Sequence, residues 1–342
     1  MATVSNEAPI NDAGDCRVLI AQALAEGLDD RGIRDHLTAR GVSAERADRE
    51  VELARADPLF IAARQLGHRL TNRIQKRNWT LGIYARLAAA NPEALSIPTI
   101  DAIDPERFYR EFYFANRPVK LRGLVDHWPA LHKWTLDYLE AELGDAMIEV
   151  QGQRTGAKSY ETNKDPHKRQ VPLRGVIALL RRNQPSNDYY ITAYNDTVNK
   201  TALAPLWADL GPVSLLRASG ERDGFFWLGP AGTLTPFHHD LTNNLLVQVE
   251  GRKHVRMVPS WEVARMRNAL HCFSQREPED FERAGEDLPP MLQCVIDKGE
   301  AIFLPIGWWH HVTALDRSIS MSFTNFNADN NFTAGYPANA HF

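Results

Sequence analysis

The sequence predicts a mainly β core with flanking helices, preceded by an α-helical N-terminal region. Three observations lead to this. An alanine-rich stretch with helical spacing runs to about residue 96, short β-forming runs broken by turns follow from about Ile148 to Phe326, and two glycine-anchored segments within those runs carry candidate metal ligands.

In the N-terminal region, Val18-Leu19-Ile20 with Ala23-Leu24, then Ile33 and Leu37, then a third helix from Ser43 are separated by Gly27 and Gly41. Spacings of three and four keep the apolar residues on one helix face. Asp57-Pro58 reads as an N-cap followed by proline at the first helical position, opening a long helix that runs toward Ala90 and ends at Asn91-Pro92. Ser96-Ile97-Pro98 then joins a helical region, 1–96, to a core spanning 97–326. That core begins as helix, strand, helix from Asp101 to Gly144, with a turn at Trp128-Pro129. A helical insertion is expected near Ser260 to Leu270, and residues 327–342, rich in Asn, Gly and Pro, read as a coil.

The first glycine-anchored segment runs from Gly232 through His238-x-Asp240 and Asn244 to Gly251; the second runs from Gly299 through Pro305 and Gly307 to His310. Residues i and i+2 of a strand share a face, so His238 and Asp240 can direct a nitrogen and an oxygen at one point. Asn244 to Val249 is strongly β-forming, and Glu250-Gly251 supplies a turn before Lys253 to Val258, which places the pair beside a hairpin. Ala301 to Leu304 reads as a buried strand interrupted by Pro305 and Gly307 and resumed by Trp308 to Val312. Two histidines and one carboxylate on one face of a redox-active metal, with open positions opposite, are the ligand set of non-haem Fe(II) oxygenases.

With these residues in view, the run Thr235-Pro-Phe-His-His-Asp240 together with Trp308-Trp-His-His-Val312 resembles the two motifs of the cupin superfamily, and within it the JmjC-type branch. The likeness is nearest to the asparaginyl hydroxylase of the hypoxia-inducible factor system and its bacterial cupin-like relatives. It extends over roughly residues 97 to 326, since Ile97-Pro98, Phe108-Tyr109, Asn116 to Val119 and Trp134 are similar to the family's entry segment. The resemblance implies a double-stranded β-helix, Fe(II) held by His238, Asp240 and His310, and 2-oxoglutarate and O2 as cosubstrates. Lys253, fifteen residues after His238, matches the family's lysine for the distal carboxylate of 2-oxoglutarate. Thr235 could add a hydroxyl to the same carboxylate, and Asn244 could orient the ligands. Of Tyr189 and Tyr190, the family's tyrosine is assigned to Tyr190, with Tyr189 as the alternative. The family's asparagine near the end of the last strand falls on Asn325 by count and on Thr324 by alternation, and the sequence leaves both open. Many metal cupins carry a third histidine and a glutamate where this chain has Asp240 and Asn244, and the retained aspartate argues against halogenation.

The function implied is a dioxygenase that hydroxylates a C–H bond, on a peptide or protein side chain. The alternatives are a JmjC-type N-demethylase, a small-molecule or RNA hydroxylase, or a metal cupin acting without 2-oxoglutarate. Composition is that of an ordinary globular chain: 342 residues, 44% hydrophobic and 24% charged. A formal net charge of -4 gives no global basic field of the kind that draws nucleic acid. Three scattered cysteines, Cys16, Cys272 and Cys294, fit a reducing compartment. With no basic start and apolar run at the N-terminus and no bilayer-length apolar stretch, a cytoplasmic location is expected. Arg69, Arg73, Lys76 and Arg77 form a basic helix stripe read as a solvated face, and a homodimer, if formed, is expected through the N-terminal helices. The basic loop from Arg154 to Arg182, with Lys158, Lys164, Lys168, Arg169 and Arg174, is a candidate border of the active-site mouth.

Overall fold

A computed structural model describes residues 13–156, 160–218, 222–283 and 287–337. Lys158, the first twelve residues and the last five of the expected coil lie outside them. The chain divides into two compact units, 1–84 and 85–342. In the first, α1 (Ala13–Ala25), α2 (Asp30–Ala39) and α3 (Ala44–Ala56) bury Leu24, Ile33, Leu37 and Val51 together. The Asp29 and Ser43 side chains cap α2 and α3 by accepting from the amides of Gly32 and Arg46. α4 (Pro58–Ala90) opens at the expected Asp57-Pro58 and carries the change from one unit to the next within it.

Among the described residues the second unit holds fifteen strands: β1 (Thr99–Asp101), β2 (Val119–Arg122), β3 (Met147–Gly152), β4 (Lys168–Pro172), β5 (Tyr189–Tyr190), β6 (Phe225–Gly229), β7 (Leu234–His239), β8 (Asn244–Glu250), β9 (Lys253–Val258), β10 (Asn268–Leu270), β11 (Phe273–Ser274), β12 (Leu292–Ile296), β13 (Ala301–Leu304), β14 (Trp309–Ala314) and β15 (Ser318–Phe323). They form a six-stranded sheet in the order β1-β2-β13-β8-β15-β6, a second in the order β10-β11-β7-β14-β9-β12, and a small sheet β4-β3-β5. The two large sheets pack through Leu246, Ile302 and Leu304 of one and Val255, Met257 and Val312 of the other. This is the cupin double-stranded β-helix.

The period of two sorts the residues of the first large sheet. Leu245, Val247 and Val249 of β8, with Ile319, Met321 and Phe323 of β15, join the core that also contains Leu139, Val176, Ile177 and Leu180 of two flanking helices, Leu136–Leu143 and Leu173–Arg181. The even positions turn inward. There Ser320 donates a hydrogen bond to Gln248 at 2.8 Å, and Ser322 lines the internal cavity.

Three expectations are corrected. β8 and β9 do not form a hairpin: β8 pairs with β13 and β15, and β9 with β12 and β14. Glu250-Gly251 is instead a corner between sheets, with Gly251 at φ 71° where a Cβ would strike the Arg317 carbonyl. Pro305 and Gly307 likewise carry the chain from one sheet to the other, so β14 does not resume β13. The segment near 260–270 is a single 3-10 turn at Ser260–Glu262 followed by the β10–β11 pair, not a helix. Turn residues mark where a strand ends; they do not say which strand it pairs with.

Candidate metal centre and cavity

His238 lies near the end of β7 and His310 near the start of β14, directly opposite each other in antiparallel register. Asp240 follows two residues after His238, past the end of the strand. Donor atoms of the three side chains all fall within 4.8 Å of one another. His238 Nε2 is 3.5 Å from one Asp240 oxygen, and His310 Nε2 is 3.8 Å from the other. Each ring is aimed from behind. His238 Nδ1 lies 2.9 Å from the Pro236 carbonyl and His310 Nδ1 3.0 Å from the Trp308 carbonyl. A carbonyl can only accept, so both Nδ1 atoms carry the proton and both Nε2 lone pairs face inward, as a metal ligand requires.

Electrostatics fit the same donor set. Burial would raise the Asp240 pKa, but the His238 and His310 imidazoles and the Asn244 amide beside it outweigh it and hold the carboxyl well below its usual range. Burial pushes the His310 imidazole down to about 4, keeping it neutral. For His238 burial acts in the same direction, yet the bond and charge of Asp240 prevail and raise it. Asn244 donates to Asp240 at 3.2 Å, while its own carbonyl oxygen is buried without a partner among the described residues. That leaves an acceptor for a group the chain does not supply. The three side chains therefore fit Fe(II), which when bound supplies the redox chemistry that activates O2.

A cavity of about 340 Å³ opens on this centre. Besides the three donors it is lined by Lys253, Tyr190, Trp227, Thr235 and Leu246, and by Glu161, Thr192, Tyr194, Thr242 and Thr324. Lys253 is 2% exposed, and its ammonium donates to the Tyr190 hydroxyl at 3.1 Å. Burial alone pushes its pKa down to about 7. Tyr190, not Tyr189, faces the cavity; Tyr189 packs against the main core.

Asn325 is a correction. It lies on the other side of the sheet, donating to the Arg217 carbonyl at 2.6 Å, and it borders a different hollow. Thr324 takes the cavity position because the inward parity of Ser318, Ser320 and Ser322 continues one step beyond β15. The neighbours of the metal ligands obey the same parity. His239 bonds the Tyr336 hydroxyl at 3.0 Å, and His311 packs on Phe237, both away from the cavity.

The basic loop reaches the cavity through an acid. Glu161 lines it, whereas Arg169 and Arg174 are exposed and Lys168 pairs with Asp165. Sequence reading passed over Glu161, Tyr194 and Trp227. Only the loop's placement near the mouth offered a signal for the first, and an aromatic in a strand carries none. Tyr336, in the segment read as a coil, was also missed, although its hydroxyl ties that segment to His239 and to the His271 carbonyl.

The fold and the His238, Asp240 and His310 donor set are those of a cupin-type metal domain. Residues 105–332 match the model of the cupin-like domain. The chain is 31% identical over 234 residues to lysine-specific demethylase JMJ30 of Arabidopsis thaliana, which covers 64% of this chain and 52% of that protein. It is 27% identical over 242 residues to lysine-specific demethylase 8 of Xenopus tropicalis, covering 67% and 52%. Against the bifunctional peptidase and (3S)-lysyl hydroxylase JMJD7 of Homo sapiens it is 28% identical over 265 residues, covering 67% and 84%. The chain belongs to the cupin-like family in its JmjC branch, whose enzymes use Fe(II), 2-oxoglutarate and O2. It spans about half the length of the first two relatives.

Proposed function

We propose that the chain hydroxylates a C–H bond on a peptide or protein side chain, with 97–326 as the catalytic domain. The observation that carries this reading is one cavity lined both by the His238, Asp240 and His310 donors and by the buried Lys253–Tyr190 pair. In that arrangement Lys253, Tyr190 and Thr235 bind the distal carboxylate of 2-oxoglutarate, Asn244 orients Asp240, and the lining around Tyr194 and Thr242 receives the substrate. The balance is one O2 and one 2-oxoglutarate consumed, succinate and carbon dioxide released, and one oxygen inserted into the substrate. The name of the human relative, a lysyl hydroxylase, favours this product, and the names of the plant and frog relatives favour N-demethylation.

Mass spectrometry of candidate peptides incubated with iron, ascorbate and 2-oxoglutarate decides between them. A gain of one oxygen with all methyl groups retained is expected. Formaldehyde release with loss of a methyl would establish demethylation, and product formed without 2-oxoglutarate would remove both.

The N-terminal helices supply the dimer surface in this reading. On α4, Leu59, Leu66, Leu70 and Ile74 are 76%, 57%, 50% and 48% exposed, and steps of seven, four and four set them along one stripe of the helix. Light scattering is expected to give twice the 38.6 kDa chain mass, and Leu66→Glu with Leu70→Glu the single mass. A parent that elutes as a monomer removes the surface. Among the described residues no helix is long and apolar enough to cross a membrane, and all three cysteines are free, which suits a reducing cytoplasm.

A further inference from the structure

His238 and His310 stand on paired strands, and the ladder fixes both. Asp240 has no such support. β7 pairs with β14 as far as His239 opposite Trp309, and β8 begins its pairing with β13 at Asn244 opposite Leu304, so residues 240–243 form a turn outside both ladders. The backbone groups of such a turn need partners from elsewhere, and the carboxylate is only as well placed as those partners make it.

The partners come from the segment that follows β15. Asn330 Oδ1 accepts from the Asn243 backbone N–H at 2.7 Å and from Asn243 Nδ2 at 3.0 Å. Asn330 Nδ2 donates to the Asn243 carbonyl at 2.9 Å and to the Thr324 carbonyl at 2.8 Å. A side-chain amide offers two lone pairs and two N–H groups, so Asn330 makes every bond open to it. Toward Asn243 it takes the place of a neighbouring strand, receiving the N–H and donating to the C=O of one residue.

Asn243 is 2% exposed and passes the contact on. Its Oδ1 accepts from the Ile306 N–H at 2.9 Å, and the Gly307 N–H donates to the Asp240 carbonyl at 3.3 Å. Ile306 and Gly307 lead directly to Trp308, whose carbonyl aims His310. One amide thus joins the Asp240 turn, the turn ahead of His310 and the end of β15, where Thr324 lines the cavity. Asn330 has a firm base from which to act. Phe326 packs on Phe108, Tyr113 and Phe303, the Asn327 N–H donates to the Tyr109 hydroxyl at 2.7 Å, and the Tyr113 hydroxyl donates to the Asp329 carbonyl at 2.9 Å. On the other side of Asn330, the Tyr336 hydroxyl is bonded to His239 and to the His271 carbonyl.

We propose that Asn330 is a positioning residue for the metal centre: it clasps the Asp240 turn to the turn ahead of His310 and so sets the carboxylate against the two imidazoles. It touches neither metal nor substrate. This rests on the oxygenase reading above and adds the segment after β15 to the parts that build the site.

The test titrates the metal-free full chain with Co(II) without oxygen. Co(II) takes the same donors as Fe(II), and its visible absorption reports their geometry. Asn330→Ala is compared with the parent and with Thr333→Ala, which alters the same segment at a hydroxyl bonded to Asn331. Asn330→Ala is expected to bind Co(II) about tenfold more weakly, the lower end of the loss when an outer partner of a metal site is removed, and to shift the absorption. Thr333→Ala should match the parent. A purely structural role would lower the unfolding temperature of Asn330→Ala and leave the affinity and absorption of the folded protein unchanged, and that result overturns the clasp. If Asn330→Ala does not fold, the parent decides by reciprocity: a clasp that tightens metal binding must itself be tightened by the metal. Co(II) should then slow deuterium uptake across 327–337, which carries none of the donors, and leave uptake across 30–56 unchanged. Unchanged uptake in 327–337, or equal slowing in both, overturns the clasp. A parent that binds no Co(II) overturns the clasp and the oxygenase reading together. A separate aerobic assay with Fe(II) and 2-oxoglutarate measures succinate. Weakened Co(II) binding in Asn330→Ala, with no succinate from the parent on any candidate peptide, removes the oxygenase reading and leaves the clasp standing.

Discussion

Asp240→Ala is expected to give a folded protein that binds Fe(II) poorly and releases almost no succinate. Asp240 is the only anionic donor of the three and the group that both histidine Nε2 atoms face, at 3.5 and 3.8 Å. Its removal leaves two neutral imidazoles to hold a dication. Loss of an outer hydrogen-bond partner alone costs a metal site roughly 10–100-fold in affinity, and loss of a charged ligand should exceed that. The fold should survive, because Asp240 lies past the end of β7 and contributes no side chain to any of the apolar clusters. Circular dichroism and thermal unfolding check the fold, and a competition titration with a chromogenic chelator reads the metal. The control is its neighbour. His239→Ala, which removes a ring bonded to Tyr336 on the outer face, should keep iron affinity and turnover close to the parent. Unchanged turnover in Asp240→Ala would take Asp240 out of the site, and a His239→Ala protein as depleted of iron as Asp240→Ala would show that the side-chain parity is wrong.

How far the sequence carried depends on whether a feature is local. The i, i+2 rule puts His238 and Asp240 on one face whatever else the strand does, and the period of two sends His239 and His311 outward. Helix starts are equally local, since the Asp29 and Ser43 caps and Asp57-Pro58 act within one turn. Strand pairing is not local. Nothing in Glu250-Gly251 distinguishes a hairpin turn from a corner between sheets, because the difference lies in β13, β14 and β15, dozens of residues away. The resemblance assigned Lys253 to 2-oxoglutarate, but the hairpin expected around it gave no reason for its burial, which the corner between the sheets supplies. Asn325 and Thr324 show the opposite case: counting along the motif and simple alternation disagreed, and the local alternation, which points to Thr324, is the rule the cavity follows. Glu161 was illegible for a further reason: in a loop surrounded by lysines and arginines, a single acid looks like a solvated charge until its burial against Arg154 is seen.

Lys253→Ala is expected to weaken 2-oxoglutarate by about a hundredfold or more while leaving Fe(II) binding intact. Lys253 is 2% exposed, and among the described residues its ammonium is bonded only to the Tyr190 hydroxyl. A charge-assisted hydrogen bond contributes about 1.5–3 kcal/mol, and stranding a buried carboxylate raises the loss to about 3–5 kcal/mol, at about 1.4 kcal/mol per tenfold. Calorimetric titration of 2-oxoglutarate into the iron-loaded, oxygen-free protein measures it. The same titration has a pH signature. Burial lowers the Lys253 pKa to about 7 in the resting chain, and a bound carboxylate favours the charged form, so the pKa must be higher in the complex. Below pH 7 the lysine is already charged and affinity should be flat. Above pH 7 binding must bring a proton with it, so the dissociation constant should rise by up to about tenfold per pH unit until the pKa of the complex is reached. Lys253→Arg separates charge from shape: the guanidinium stays protonated throughout, so its binding should be weaker than the parent at pH 7 because the planar group fits the pocket poorly, and independent of pH above it. A Lys253→Ala protein that binds 2-oxoglutarate as tightly as the parent would free the lysine from the cosubstrate and leave the assignment resting on the metal donors alone. A parent whose affinity does not change between pH 7 and 9 would show instead that the ammonium is held charged before the ligand arrives, by a group other than Tyr190.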